Sequence, residues 1–157
     1  MRRKLTQRVV LALAVAAPLV LGLVLGDSIG LGIADAAGLK GFARVSLSLR
    51  KPNLEPDLAK VPLDGVVILS LGTNDAEDPV QQLDRFIEKV IDAAVASKRR
   101  IVWLGPPCLF QRRRDTAAEI DAYLKERLAK TPIQYVSLHD GWICRAEIGR
   151  ASCRERV

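Results

Sequence analysis

The sequence predicts an α/β fold: a doubly wound, parallel, five-stranded sheet covered by helices on both faces. Three observations predict it. Short apolar runs alternate with amphipathic stretches along most of the 157 residues. Two of those runs, Leu19–Leu25 and Gly65–Leu71, are apolar throughout, as strands buried on both faces must be. Glycine then stands directly after three of the runs, at Gly26, Gly72 and Gly105, where a strand must turn towards a helix.

The elements follow in order. Leu19–Leu25 is the first strand, and Ile29–Leu39 a short helix ending at Gly38 or Gly41. Ala43–Leu49 alternates with period two, as a strand with one exposed face does. Lys51–Leu63 holds Pro52, Pro56 and Pro62 and reads as a surface loop before the third strand, Gly65–Leu71. Asp78 is placed to cap the next helix, with Pro79 as its first residue. Val80, Leu83, Ile87, Val90, Ile91, Ala94 and Val95 give that helix one apolar face, and Lys98-Arg99-Arg100 suits the negative end of its dipole. Ile101–Leu104 is a fourth strand. Thr116 with Glu119 forms a capping box for a helix over 117–130, buried through Ile120, Tyr123, Leu124 and Leu128. Ile133–Leu138 is the last strand.

Composition excludes several classes. The chain is 49% hydrophobic, too apolar for a disordered segment. Its net charge of +6 comes mostly from Arg2, Arg3, Lys4 and Arg8; residues 9–146 carry only +1, and the last eleven another +1. With 4% aromatic residues there is no stacking platform along a basic groove, so nucleic acid is not an expected partner. One His and three Cys, with no CxxC pair, give neither a metal centre nor a disulfide scaffold. No metal and no organic cofactor is expected. Arg112-Arg113-Arg114 reads as a solvated loop, with an anion contact as the alternative.

The amino terminus has the form of an export signal over residues 1–17. Basic residues precede an apolar run from Val9 to Leu25, and Ala14-Val15-Ala16 supplies small residues for cleavage before Pro18. Leu19–Leu25 is needed as a strand, so no stable membrane span is expected there. The expected location is periplasmic or extracellular; the alternative is a cytoplasmic protein whose first strand follows a short basic helix.

In a doubly wound sheet, ligands bind at the carboxyl ends of the strands, beside the switch in strand order. Two segments lie there: Gly26-Asp27-Ser28 after the first strand and Gly72-Thr73-Asn74-Asp75 after the third. Singly, each is ordinary cap or turn chemistry. Together they bring a hydroxyl, a carboxamide and glycines to neighbouring strand ends, which is what serine acyl transfer requires.

Gly26-Asp27-Ser28-Ile29-Gly30 resembles the first block of the SGNH (GDSL-type) hydrolases, and Gly72-Thr73-Asn74-Asp75 resembles their G-x-N-D block. The resemblance runs from about Leu19 to Trp142, within a single domain over 18–146. It implies a flavodoxin-like three-layer α/β/α architecture and cleavage of an ester, acyl or O-acetyl, through an acyl-serine intermediate. By resemblance Ser28 is the nucleophile and Asn74 an oxyanion-hole donor. The Ser28 backbone amide is another donor, and Gly72 a further candidate at the hole. No cofactor is implied, and the partner is a small-molecule, glycan or lipid ester. Oligomeric state is left open.

Three departures stand out. Val45–Arg50 lacks the glycine of the family's second block, leaving the amide of Ser48 or a neighbour to replace it. The family's D-x-x-H block is missing: three residues before His139 stands Val136, so His139 is either a base of another kind or a strand-end residue bonded to local backbone. Glu147–Val157 is aperiodic and resembles translated vector read-through, so the domain is expected to be truncated before its base, and a poor catalyst as it stands. With Cys153 set aside, Cys108 and Cys144 either form a bridge near the sheet edge or stay unpaired. Two other readings remain: a non-catalytic protein of the same fold that binds a glycan or ester, and a dinucleotide-binding domain. The second is opposed by Asp35, where the glycine fingerprint beginning at Gly30 needs Gly or Ala.

Overall fold

A computed structural model describes residues 22–38, 42–43, 47–51, 54–109 and 113–139. The expected signal segment (1–17), the tail (147–157) and Cys144 lie outside them.

In chain order the elements are β1 (Gly22–Gly26), α1 (Ser28–Ala37), β2 (Phe42–Ala43), α2 (Glu55–Leu58) and β3 (Val66–Ser70). A single 3-10 turn (Thr73–Asp75) follows, then α3 (Val80–Ala96), β4 (Arg100–Leu104), α4 (Arg113–Leu128) and β5 (Gln134–Val136). All strand pairs are parallel. The body of the sheet is β1, β3, β4 and β5, and the two-residue β2 adds at the β1 edge, so the order is β2-β1-β3-β4-β5. The chain therefore reverses its winding between β1 and β3, and the crevice at that switch is the default ligand position.

Strand side chains alternate between two apolar layers. Leu23, Leu25, Val67, Leu69, Ile101 and Trp103 pack with Leu83, Ile87 and Val90 of α3 and Ile120, Leu124 and Leu128 of α4. Val24, Ile68, Val102 and Leu104 face the other way, onto Ile33 and Ala34 of α1. Helices thus cover both faces, an arrangement compatible with three α/β/α layers. Trp103 is fully buried and places its indole N–H on the Leu71 carbonyl at 3.3 Å, so its polar end is satisfied inside the core.

Several local expectations are corrected. Of the period-two segment Ala43–Leu49, residues 44–46 lie outside the described residues; Ala43 pairs with β1, whereas Leu47 and Ser48 are irregular and Leu49–Arg50 form a turn, with Leu47 and Leu49 bonded to side chains. Lys51–Leu63 is not a surface loop throughout. Leu54, Leu58 and Val61 are buried in the core, and their burial folds one turn of helix, which admits Pro56 because a helix start leaves that N–H unbonded anyway. Asp78 does not cap α3: Pro79 holds the cap position without a side-chain bond, and the Asp78 carboxylate pairs with Arg50 at 2.9 Å instead. Helix α4 begins at Arg113, ahead of the capping-box Thr116, since nothing between them breaks a helix; Arg113 and Arg114 are helical rather than loop. Val95 is 41% exposed and falls outside the apolar face of α3. None of the helices among the described residues is long and apolar enough to cross a membrane.

Candidate active site

Ser28 is the first residue of α1 and is exposed at the carboxyl end of β1. A helix start leaves four backbone N–H groups without helical partners. Here Asp27 N–H donates to the Ser70 carbonyl at 3.0 Å. The N–H groups of Ile29 and Gly30 both donate to Asp27 Oδ1, at 3.0 and 3.4 Å. That leaves the Ser28 N–H, which among the described residues has no partner. An unpaired amide on the positive end of a helix, beside an exposed hydroxyl, is a donor ready for a developing oxyanion.

The floor under Ser28 is rigid. Asp27 is fully buried, and Ser70 at the end of β3 donates its hydroxyl to Asp27 Oδ1 at 3.0 Å. Asp27 Oδ2 is buried with no hydrogen-bond partner among the described residues. Gly26 permits this approach: a Cβ there would lie 2.1 Å from the Ser70 carbonyl oxygen.

The second segment forms the neighbouring wall. Gly72 is buried at φ +114°, a conformation open to glycine, and turns the chain from β3 into the Thr73–Asp75 turn. Asn74 is exposed and donates its Nδ2 to the Leu47 carbonyl at 2.7 Å. A carboxamide nitrogen carries two protons, so one remains for a ligand. Asp75 is buried and accepts the Leu49 N–H on Oδ2 at 2.9 Å. Thus β1 and β3, adjacent in the sheet, place Ser28 and Asn74 after the carboxyl ends of neighbouring strands.

The amide expected to stand in for the missing second-block glycine does not converge with them. The Leu47–Ser48 peptide is trans, so Ser48 N–H points opposite to the Leu47 carbonyl and hence away from Asn74. The next amide, of Leu49, is occupied by Asp75.

His139 follows β5, the strand at the far edge from β1. Three strand spacings of ~4.8 Å separate those two strands, about 14 Å in all. Its N–H donates to Ser137 Oγ at 3.2 Å, and its buried Nδ1 has no hydrogen-bond partner among the described residues. Ser137 and Tyr135 in turn donate to the buried carboxylate of Asp121, at 2.9 and 2.6 Å. His139 is therefore anchored in a separate polar cluster on this edge. Cys108 is disulfide-bonded, its partner lying outside the described residues. No group of three metal-ligating side chains occurs among the described residues.

Burial raises the Asp75 carboxyl above its ordinary 3.8, with Asp78 and Asp27 adding to the effect; the Leu49 amide and Arg50 oppose it. A raised folded value stabilises the fold below pH 3.8, and that contribution disappears as pH rises through the folded value. Asp75→Asn keeps an acceptor for Leu49 and removes the buried charge. It should melt a few degrees above wild type at pH 7, with the gap closing towards pH 3.8. Thermal melts of the pair across that range check it.

No protein-family model matches the chain, and no curated protein matches it significantly.

Proposed function

We propose that the chain is the core of a serine hydrolase of the SGNH type that cleaves an acyl or O-acetyl ester. The observation that carries this reading is the Ser28 amide, which has no partner among the described residues while the other three donors at the start of α1 are bonded. In this reading Ser28 Oγ attacks the ester carbonyl carbon. The carbonyl oxygen takes the negative charge against Ser28 N–H and the second Asn74 Nδ2 proton. The alcohol leaves, and water then cleaves the acyl-serine. The base that takes the Ser28 proton is either His139, whose buried Nδ1 has no partner among the described residues, or a residue outside them. The resemblance of Gly26-Asp27-Ser28 and Gly72-Thr73-Asn74-Asp75 to that family, and their positions at the β1/β3 switch, support the reading. Export is part of the proposal, resting on the basic start, the apolar run and the small residues Ala14-Val15-Ala16.

A serine-directed fluorophosphonate tests it. The full-length protein should become labelled, and peptide mapping should place the adduct on Ser28. Absence of labelling, or an adduct elsewhere, rejects the nucleophile. Asn74→Ala should lower ester turnover about a hundredfold, the scale of one lost oxyanion donor; an unchanged rate removes Asn74 from the site.

The distance of His139 from β1 and the turned-away Ser48 amide favour a second reading, a protein of this fold that binds an ester or glycan without turning it over. That protein would resist the phosphonate yet retain a sugar- or lipid-ester ligand in equilibrium binding.

A further inference from the structure

Asn74 and Asp75 grip one short stretch of backbone from the same side. Asn74 donates to the Leu47 carbonyl, and Asp75 accepts the Leu49 amide two residues on. The two bonds hold the chain on either side of Ser48, just as it enters the turn closed by Lys51 N–H on the Ser48 carbonyl at 3.2 Å. This is why the Leu47–Leu49 stretch stays ordered after β2 has ended.

The grip works in both directions. Asn74 is exposed and stands in a one-turn 3-10 segment, so its carboxamide is not enclosed by the core. Its fixed contact is the Leu47 carbonyl. The stretch that carries that carbonyl is held in turn by the Leu49 amide on Asp75, a residue only 2% exposed. From this we infer that Asp75 is a positioning residue for the oxyanion hole, holding the Asn74 carboxamide through the Leu49 amide and the Leu47 carbonyl. The inference rests on the reading of Asn74 as an oxyanion donor. Asp75 touches no substrate. With Leu47 fixed, one Nδ2 proton is committed and the other is aimed; without it, the carboxamide rotates and the donor is lost for part of the time.

A double-mutant cycle on full-length protein tests this, using hydrolysis of a short-chain aryl ester per phosphonate-titrated site. Asp75→Ala should lower kcat by about tenfold to a hundredfold with KM unchanged, the cost of a donor misplaced by about an ångström. Asp75→Asn, which keeps the acceptor, should stay within about threefold of wild type. In an Asn74→Ala background, Asp75→Ala should cost nothing further. Equal losses in both backgrounds, or wild-type kcat in Asp75→Ala, would overturn the inference. Where Asp75→Ala does not fold, replacing Leu49 by its α-hydroxy acid removes the amide from the other end of the tether. The same kcat loss is expected, and full kcat would reject the role. A readout independent of catalysis separates this from failure of the hydrolase reading: the Asn74 side-chain amide resonances should shift in Asp75→Ala and stay in place in Asp75→Asn, even in a protein that turns over no ester. Unshifted resonances in Asp75→Ala would overturn the tether by themselves.

Discussion

Ser28→Ala is expected to lower ester hydrolysis by at least about a thousandfold while leaving the melting temperature unchanged. The first half follows from chemistry: without Oγ no acyl-enzyme forms, and only binding and the two remaining donors assist direct attack by water. The second half follows from the position. Ser28 is exposed, and the cap of α1 belongs to Asp27, whose carboxylate and carbonyl satisfy the first turn without help from Ser28. A surface change that removes no cap and buries nothing falls within about 0.5 kcal/mol. Steady-state turnover of an aryl ester and a thermal melt, made on the same preparation, decide the matter. Retained turnover ends the assignment of Ser28. A large fall in both turnover and melting temperature would make Ser28 structural instead.

The edge of the sheet was the part most readable in the sequence. Continuous apolar runs mark strands buried on both faces, and a glycine directly after such a run marks a turn that a side chain would block. Gly26 and Gly72 are such positions, and the residues after them stand at β1 and β3 in the structure. Periodicity located the body of α3, because Leu83, Ile87, Val90 and Ile91 fill one core, but not its end: the helix stops at Ala96 with no basic residue in its last turn, and Arg100 opens β4. What was not readable depends on contacts between residues far apart in the chain. Asp78 carries a capping signature, yet Arg50, 28 residues away, takes its carboxylate. Leu54, Leu58 and Val61 do recur at spacings of four and three, but Pro52, Pro56 and Pro62 mask that signal, and it is the core they enter that folds the one turn of helix. The grip on Leu47 and Leu49 joins side chains to backbone across 26 and 27 residues. The alternation of Ala43–Leu49 carries no sign of those bonds, since it reports which side chains are apolar and not which groups hold the backbone.

The largest loss of stability is expected from Gly26→Ala. A Cβ at this position would lie 2.1 Å from the Ser70 carbonyl oxygen, 2.8 Å from its carbon and 2.9 Å from its Cβ, at a φ of +156°. The obstacle is backbone, so no rotamer relieves it. β3 cannot retreat either, because β1 is paired with it from Gly22↔Val66 to Gly26↔Ser70 and Asp27 N–H is bonded to that same carbonyl. Relief requires the two central strands to part at the edge where Asp27, Ser70 and Ser28 meet, breaking the Asp27–Ser70 pair inside the core. The expected cost is about 4 kcal/mol or more, against a total stability of about 5–15 kcal/mol for a typical domain. Two other glycines calibrate it. At Gly105 the Cβ would meet the Tyr135 hydroxyl at 1.9 Å and Asp121 Oδ1 at 2.6 Å. Those are side-chain atoms, so Gly105→Ala should cost less, with Tyr135 swinging aside and giving up its bond to Asp121. At Gly32, within α1, nothing lies within 4 Å. There Gly32→Ala should stabilise by about 1 kcal/mol through helix propensity alone. Chemical denaturation of the three variants should order them Gly32→Ala, Gly105→Ala, Gly26→Ala from most to least stable. Wild-type stability in Gly26→Ala would mean that β1 and β3 do not meet as closely as the placement of Ser28 requires.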